Sequence, residues 1–265
     1  MHTFVYQRAT SLADAVAVLK AKPDARPLAG GMTLLPTMKL GLAAPSDLID
    51  LSAIGDLRGI RRNGDRVVIG AMTRHAEVAA SAEVRAAIPA LASLADGIGD
   101  AQVRNRGTLG GSVANSDPAA DYPAAVLGLD ANVLTDRRTI AADQFFLGMF
   151  ATALDAGELI RAVEFRVPKR AGYAKFPNPA SRYAMVGVLV ADYGGSVRVA
   201  VTGAGACAFR VPTLEAALGK QFSAAAIEGI EVSASELNTD LHGSAEYRAH
   251  LVGVMARRAV AAALG

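Results

Sequence analysis

The sequence predicts an α+β fold, in which hairpins alternate with separate helices. Three observations carry this expectation. Asn63-Gly64 stands between the apolar runs 57–60 and 67–69. An Asn-Gly pair supplies the positive φ angles of a tight hairpin turn. The runs 132–134 and 138–140 suggest a second hairpin. Ala/Leu-rich stretches such as 89–95, ending near Gly97 or Gly99, read instead as helices. Hairpins mixed with helices argue against a continuously alternating βαβ sheet.

In chain order, Thr3-Phe4-Val5-Tyr6 reads as a strand. Ser11 then caps a helix whose apolar positions Leu12, Ala15, Val16 and Leu19 fall at helical spacing, with Asp14 in its first turn. Residues 26–28 make a strand running into Ala29-Gly30-Gly31. A helix begins near Thr33 and tolerates Pro36 in its first turn. Residues 48–51 and 159–167 are strand-like. Thr73 and Ser81 are expected to cap short helices. Asp117-Pro118 is expected to start a helix through Ala125 and Leu127. Residues 168–172, with a Pro, two basic residues and a Gly, mark the best boundary. Beyond it, 183–192 and 197–202 pair around Gly194-Gly195, and helices are expected from Thr213, Ser223 and Ser244.

Composition excludes several classes. In 265 residues, 52% are hydrophobic and 20% charged, which is not a disordered composition. The net charge of +2 is too small and too scattered for a nucleic-acid surface, and Arg61-Arg62 and Arg257-Arg258 read as solvated pairs. Cys207 stands alone, so the chain cannot supply an internal disulfide, a cysteine zinc site or an iron–sulfur cluster. That usage fits a reducing cytoplasm. The N-terminus lacks a secretory pattern. The apolar stretch 251–264 contains Arg257 and Arg258 and falls short of the ~20 residues of a membrane span. His2, His75, His242 and His250 show no metal-ligand spacing, and no nucleophile–base set stands out.

Two glycine loops carry the chemistry. Pro27-Leu28-Ala29-Gly30-Gly31-Met32-Thr33-Leu34-Leu35-Pro36 leads into a helix. Successive backbone N–H groups in such a turn bind anions, although an ordinary strand-to-helix turn has the same pattern. Thr108-Leu109-Gly110-Gly111-Ser112 repeats the logic and adds two hydroxyls. Together the loops suggest one large phosphate-bearing cofactor held between them. Asp121 would repel a phosphate, so it reads either as a partner for a cofactor hydroxyl or N–H, or as a first-turn helix acid. Lys175 is a cofactor-side cation or a surface lysine. Gly203-Ala204-Gly205-Ala206-Cys207-Ala208 imitates a dinucleotide fingerprint, but Pro212 blocks the helix that the motif requires.

AGGMTLLPTMKL from Ala29, IGAMTRH from Ile69 and QVRNRGTLGGSVANSDPAADYPA from Gln102 together resemble one family almost end to end. It is the medium, FAD-binding subunit of molybdenum hydroxylases of the xanthine dehydrogenase and carbon monoxide dehydrogenase type. The resemblance implies an FAD-binding module of the vanillyl-alcohol oxidase (PCMH) type in residues 1–170, with subdomains of about 1–55 and 56–170. Residues 171–265 would form a small α/β domain of the CO dehydrogenase flavoprotein type. It implies FAD in this chain, and [2Fe-2S] clusters and a molybdenum cofactor on partners. Those partners would be a small iron–sulfur subunit and a large molybdenum subunit, in a dimer of heterotrimers. Electrons would leave through FAD to an external acceptor. With no nicotinamide fingerprint, that acceptor is a quinone, a cytochrome or oxygen.

By position, the resemblance assigns Ala29, Gly30, Gly31, Met32, Thr33, Leu34 and Leu35 to the FAD pyrophosphate. Thr108, Gly110, Gly111, Ser112 and Asn115 fall to the opposite side of the diphosphate and ribityl chain. Asp121 becomes a cofactor contact. Ile98, Ile160 (through its backbone) and Lys175 lie near the isoalloxazine. Ile98 stands where the xanthine dehydrogenase branch has an aromatic, so it cannot offer ring stacking. Two other readings use the same loops: a self-contained FAD oxidase or reductase, and a non-catalytic scaffold. The substrate would be handled by the molybdenum subunit and leaves no trace here.

Overall fold

The computed structural model describes residues 2–265. The chain begins with β1 (Val5–Arg8), α1 (Leu12–Ala21), β2 (Arg26–Leu28), α2 (Leu34–Lys39) and β3 (Asp47–Asp50). Ser11 caps α1 by accepting from the Asp14 N–H at 3.1 Å. The three strands form a parallel sheet in the order β1-β3-β2. This segment is therefore a local βαβ alternation, inside a fold that is otherwise α+β as expected. Each parallel pair needs a crossover, and α1 and α2 provide it.

Next come β4 (Ile60–Asn63) and β5 (Arg66–Gly70), turning where expected, with Gly64 at φ +61°. Six short helices follow: α3 (His75–Ala80), α4 (Ala82–Ala87), α5 (Pro89–Asp96), α6 (Ala101–Arg104), α7 (Leu109–Asn115) and α8 (Tyr122–Gly128). Then β6 (Asn132–Thr135), β7 (Thr139–Ala141), β8 (Phe146–Gly148), β9 (Ala151–Thr152) and β10 (Ile160–Arg166) complete this part. An antiparallel sheet runs β4-β5-β10-β6-β7, and β8-β9 is a separate hairpin. Val67, Ile69, Val133, Val163 and Phe165 of the sheet pack with Leu91, Leu94, Leu109 and Val113 of the helices into one core. Apolar burial at about 25 cal/mol per Å² is the main force holding these short elements.

A four-stranded sheet closes the molecule, ordered β11 (Arg170–Pro177), β12 (Ala184–Asp192), β13 (Val197–Thr202) and β14 (Phe209–Arg210), with α9 (Pro212–Lys220) and α10 (Ala245–Leu264). All nine residues of β12 are buried, because its two faces belong to two cores. Val186, Val188 and Val190 pack with Val252, Met255 and Val260 of α10. Leu189 and Ala191 pack into the core that contains α8. A continuous apolar strand is the expected signature of such two-sided cover. Arg248 anchors α10, donating to the Met185 and Gly203 carbonyls at 2.7 and 2.9 Å and pairing with Asp240.

Three expectations are corrected. Thr73 does not cap a helix: its hydroxyl takes the Gly59 N–H and returns a bond to the Gly59 carbonyl. The segment 117–120 is a turn, and the helix starts only at Tyr122. Asp117 caps that turn through the Ala119 N–H, while the Pro118 carbonyl accepts from Gly203 N–H and Thr202, so it is unavailable to a helix. No helix of several turns grows from Ser223; one 3-10 turn spans Ala225–Ile227. The Gly203 motif leads into β14 and not a helix, as Pro212 dictates.

A Cβ on Gly172 would lie 2.0 Å from the Ala259 carbonyl oxygen, so β11 and α10 meet backbone to side-chain-free backbone. Gly172→Val is expected to lower stability by about 3 kcal/mol, measured by urea unfolding, because neither backbone can retreat within a packed core.

Candidate functional site

A cleft of about 730 Å³ runs between the two glycine loops and ends at the turn before β12. Of the residues assigned from sequence, Ala29, Gly30, Gly31, Met32, Thr33, Leu34, Ile98, Thr108, Gly110, Gly111, Ser112, Asn115, Asp121 and Ile160 line it. Leu35 does not. It packs beneath Gly31, whose Cβ, if present, would come 2.9 Å from Leu35 Cδ1. Lys175 also lies outside the lining.

The first loop is built to meet an anion. Among the described residues, the backbone N–H groups of Ala29 through Leu34, six in succession, have no hydrogen-bond partner. Gly31 at φ +75° turns the backbone so that these groups precede α2. Backbone N–H groups left unpaired are costly when dry, so such a run favours an acceptor-rich ligand. Gly30 allows the loop to rest on its counterpart: a Cβ there would stand 2.2 Å from the Arg106 carbonyl oxygen.

The second loop works differently from the expectation that it repeats the first. Four of its N–H groups are already taken: Leu109 donates to Thr73 O, Gly110 to Ala71 O, Gly111 to Thr108 Oγ1 and Ser112 to Thr108 O. What it presents is a smooth backbone and the side chains of Ser112 and Asn115. Gly110 is required by the tight seat on Ala71, where a Cβ would approach to 2.5 Å.

Asp121 is 4% exposed, and it already has partners within the chain. Its Oδ1 takes the Lys175 ammonium at 2.9 Å and the Tyr173 hydroxyl at 2.6 Å. Burial pushes its carboxyl above the usual range, against the pull of Lys175. The acid is thus neither a plain helix-dipole residue nor one waiting only for a cofactor. Both partners lie on β11, across the 168–172 stretch, which is why sequence spacing gave no hint of them.

Three further cleft residues escaped the sequence reading. Tyr183 is 44% exposed and lines the cleft beside Arg182. Its phenol is raised by burial and by Asp117 and Asp121. A large aromatic left open in a Pro/Asn/Ser-rich turn is itself a binding signal, and it was read only as a strand start. His75 is buried against Tyr122 at 5.3 Å between ring centroids, and its Nδ1 has no partner among the described residues. Burial, with Arg104 nearby, lowers it to about 4, so it is neutral at physiological pH. Glu158 is held by Arg138 at 3.0 and 3.1 Å, by Thr135 at 2.7 Å and by the Asp155 N–H at 2.8 Å. The Arg138 guanidinium leads in lowering its carboxyl from 4.5 to about 2.

A long cleft with an anion-binding loop on one wall and hydroxyl and amide groups on the other defines a chain that holds a phosphate-bearing cofactor. Residues 2–169 match the family described as the FAD binding domain in molybdopterin dehydrogenase, and residues 172–263 match the CO dehydrogenase flavoprotein C-terminal domain. The chain belongs to this family of FAD-binding subunits of molybdenum-containing oxidoreductases. It is 39% identical to the carbon monoxide dehydrogenase medium chain of Hydrogenophaga pseudoflava, covering 98% of this chain and 96% of that one. It is 38% identical to the nicotine 6-hydroxylase medium subunit of Paenarthrobacter nicotinovorans, covering 96% and 95%. Among solved structures, reconstituted CO dehydrogenase from Oligotropha carboxidovorans superposes with a TM-score of 0.89 at 37% identity, covering 98% of this chain and 97% of that one. The residues present fit FAD: the unpartnered N–H run suits a diphosphate, and Gly30 and Gly31 leave no side chain in its way.

Two outcomes follow from the buried titratable groups. The His75 ring is expected to stay neutral, by histidine NMR titration, until the pH approaches about 4. Its folded pKa lies below 6.5, so its contribution to stability is present above 6.5 and fades as pH falls toward 4. Glu158 acts lower down: its contribution is complete above 4.5 and is lost on acidification toward about 2. Glu158→Gln should therefore reduce neutral-pH stability and flatten the acid limb in that window, measured by denaturant unfolding at successive pH values.

Proposed function

We propose that this chain is the electron-transferring FAD subunit of a multisubunit molybdenum hydroxylase. In this reading it receives electrons from [2Fe-2S] clusters on a small partner, in a dimer of heterotrimers that also contains a large molybdenum subunit. When bound, FAD supplies two-electron and one-electron chemistry between that source and an external acceptor. The observation that carries the reading is the run of six N–H groups, Ala29 to Leu34, facing a second glycine loop across one cleft. The lone Cys207 supports it, since the clusters then need cysteines from another chain. The substrate is then recognised outside this chain.

Roles follow from placement. The N–H groups of Ala29 to Leu34 hold the diphosphate, and Leu35 supports the loop from below. Thr108 fixes the second loop by capping α7, while Ser112 and Asn115 reach polyol oxygens. Ile98, Ile160 and Tyr183 flank the ring, so Tyr183 supplies the aromatic surface that Ile98 lacks. Residues 1–170 act as the FAD module and 171–265 as a second domain, a division supported by the two family matches. Among the described residues no helix is long and apolar enough to cross a membrane, and the single cysteine favours a cytoplasmic site.

The holo-complex should be yellow, release FAD on denaturation, and contain an iron–sulfur polypeptide that co-purifies with this chain. A purified complex without releasable FAD would end the reading. Activity of this chain alone on an organic substrate would favour a self-contained oxidase instead. Gly111→Val should lower FAD occupancy at least ~10-fold, by flavin-to-protein ratio, because a side chain there strikes Thr108 Oγ1 at 2.9 Å and crowds Ala29. Normal FAD content in that variant would remove the second loop from the site.

A further inference from the structure

The Lys175 ammonium has three donors, and each finds an acceptor on a different segment. It bonds Asp121 Oδ1 at 2.9 Å, the Gly97 carbonyl at 2.7 Å and the Arg182 carbonyl at 3.1 Å. Its side chain is 11% exposed and Asp121 is buried, while the Gly97 and Arg182 carbonyls lie on exposed residues at the rim. Each acceptor adjoins the cleft wall. Gly97 is the C-cap of α5 and precedes Ile98; Arg182 precedes Tyr183; Asp121 lines the cleft itself. The Gly97 carbonyl is one of the unsatisfied carbonyls at a helix C-terminus, where a cation is favoured.

The Arg182 end is under strain. Arg182 has φ +62°, which L side chains rarely adopt. The turn that holds it is closed by Arg182 N–H to Asn178 O and by Asn178 N–H to Tyr183 O, both at 2.8 Å. Such a conformation persists only when its surroundings enforce it, and the bond to Lys175 is one of the contacts that do so. No other side chain type supplies this combination. An arginine fork cannot direct three donors at one point, and a glutamine brings two donors and no charge for Asp121.

We propose that Lys175 is the positioning residue of the ring end of the cleft. It sets the separation of Ile98 from Tyr183 by tying both backbones to Asp121, and it does so without contacting the cofactor. Its assignment to the ring rests on the FAD reading given above; the tie itself does not.

The test uses the pair of substitutions Asp121→Asn with Lys175→Met, which removes the cation without leaving a buried carboxylate unpaired. In the chain without FAD, hydrogen exchange is expected to quicken at residues 97–99 and 178–183 and to stay unchanged in β13 and α10. Unchanged protection at 97–99 and 178–183 would overturn the proposal whether or not flavin binds. In the assembled complex the spectra are read per bound FAD and against Asp121→Asn alone, because Asp121 itself lines the cleft. The variant's flavin fluorescence should rise and its visible circular dichroism should change, as Tyr183 leaves the ring. Wild-type spectroscopic signatures in the loaded variant would likewise overturn the positioning role. A wild-type complex that contains no flavin would instead remove the FAD reading, and the exchange result would still decide the tie. Lys175→Arg should not restore wild-type spectra, whereas rescue by arginine would show that charge alone suffices.

Discussion

Gly30 meets the Arg106 peptide so closely that a single methyl group would occupy the space of a carbonyl oxygen. The cleft depends on that approach. It brings a loop from the parallel β1-β3-β2 sheet against a loop carried by the helical layer over the antiparallel sheet. Behind that contact the two parts share a core in which Met72 and Leu159 pack with Leu19, Ile49 and Leu51, so the cleft opens where the side-chain-free approach replaces that packing. The contact also explains why the loops differ in chemistry. The second is anchored by its own N–H groups to Ala71, Thr73 and Thr108 and acts as a fixed wall. The first is left with its donors free.

Much of this was legible in the sequence, for identifiable reasons. Asn63-Gly64 and Ser11 are local signals, in which neighbouring backbone decides the outcome, and both hold in the structure. The two glycine loops were visible as a pair because a left-handed turn, at Gly31, and close backbone approach, at Gly30 and Gly110, both demand Gly. The start of α8 was misread because the Pro118 carbonyl is claimed by Thr202 and Gly203, more than eighty residues away. Thr73 was misread in the same way, its hydroxyl being drawn to Gly59 across a turn. Tyr183 was hidden by being counted as the first residue of a strand. Asp121 and Lys175 were both noticed, but their pairing joins the N-cap of α8 to a residue of β11, and no spacing rule reaches that far.

The polar groups of the cleft are sorted by how they are compensated. Glu158 is charged because a guanidinium and two further donors surround it. Asp121 is as buried as Glu158 but has one cation and one hydroxyl as partners, and burial outweighs them in the direction of its shift. His75 carries no charge, since nothing nearby would compensate one. In the proposed reading the free N–H groups of Ala29 to Leu34 would meet a diphosphate with peptide dipoles, in a cleft that Arg26 and Arg182 also line.

The two-sided burial of β12 bears on how such a chain can arise and be divided. Its valines belong to the core under α10, while Leu189 and Ala191 belong to the core that holds α8. Gly128 of α8 sits so near Leu189 that a side chain there would collide with it. Severing the polypeptide near residue 170 would leave each half with a bare apolar face, the kind of surface that drives aggregation. The halves are therefore expected to melt as one cooperative unit. A lineage that exchanged the C-terminal part for another would have to redesign the outer face of α8 along with it.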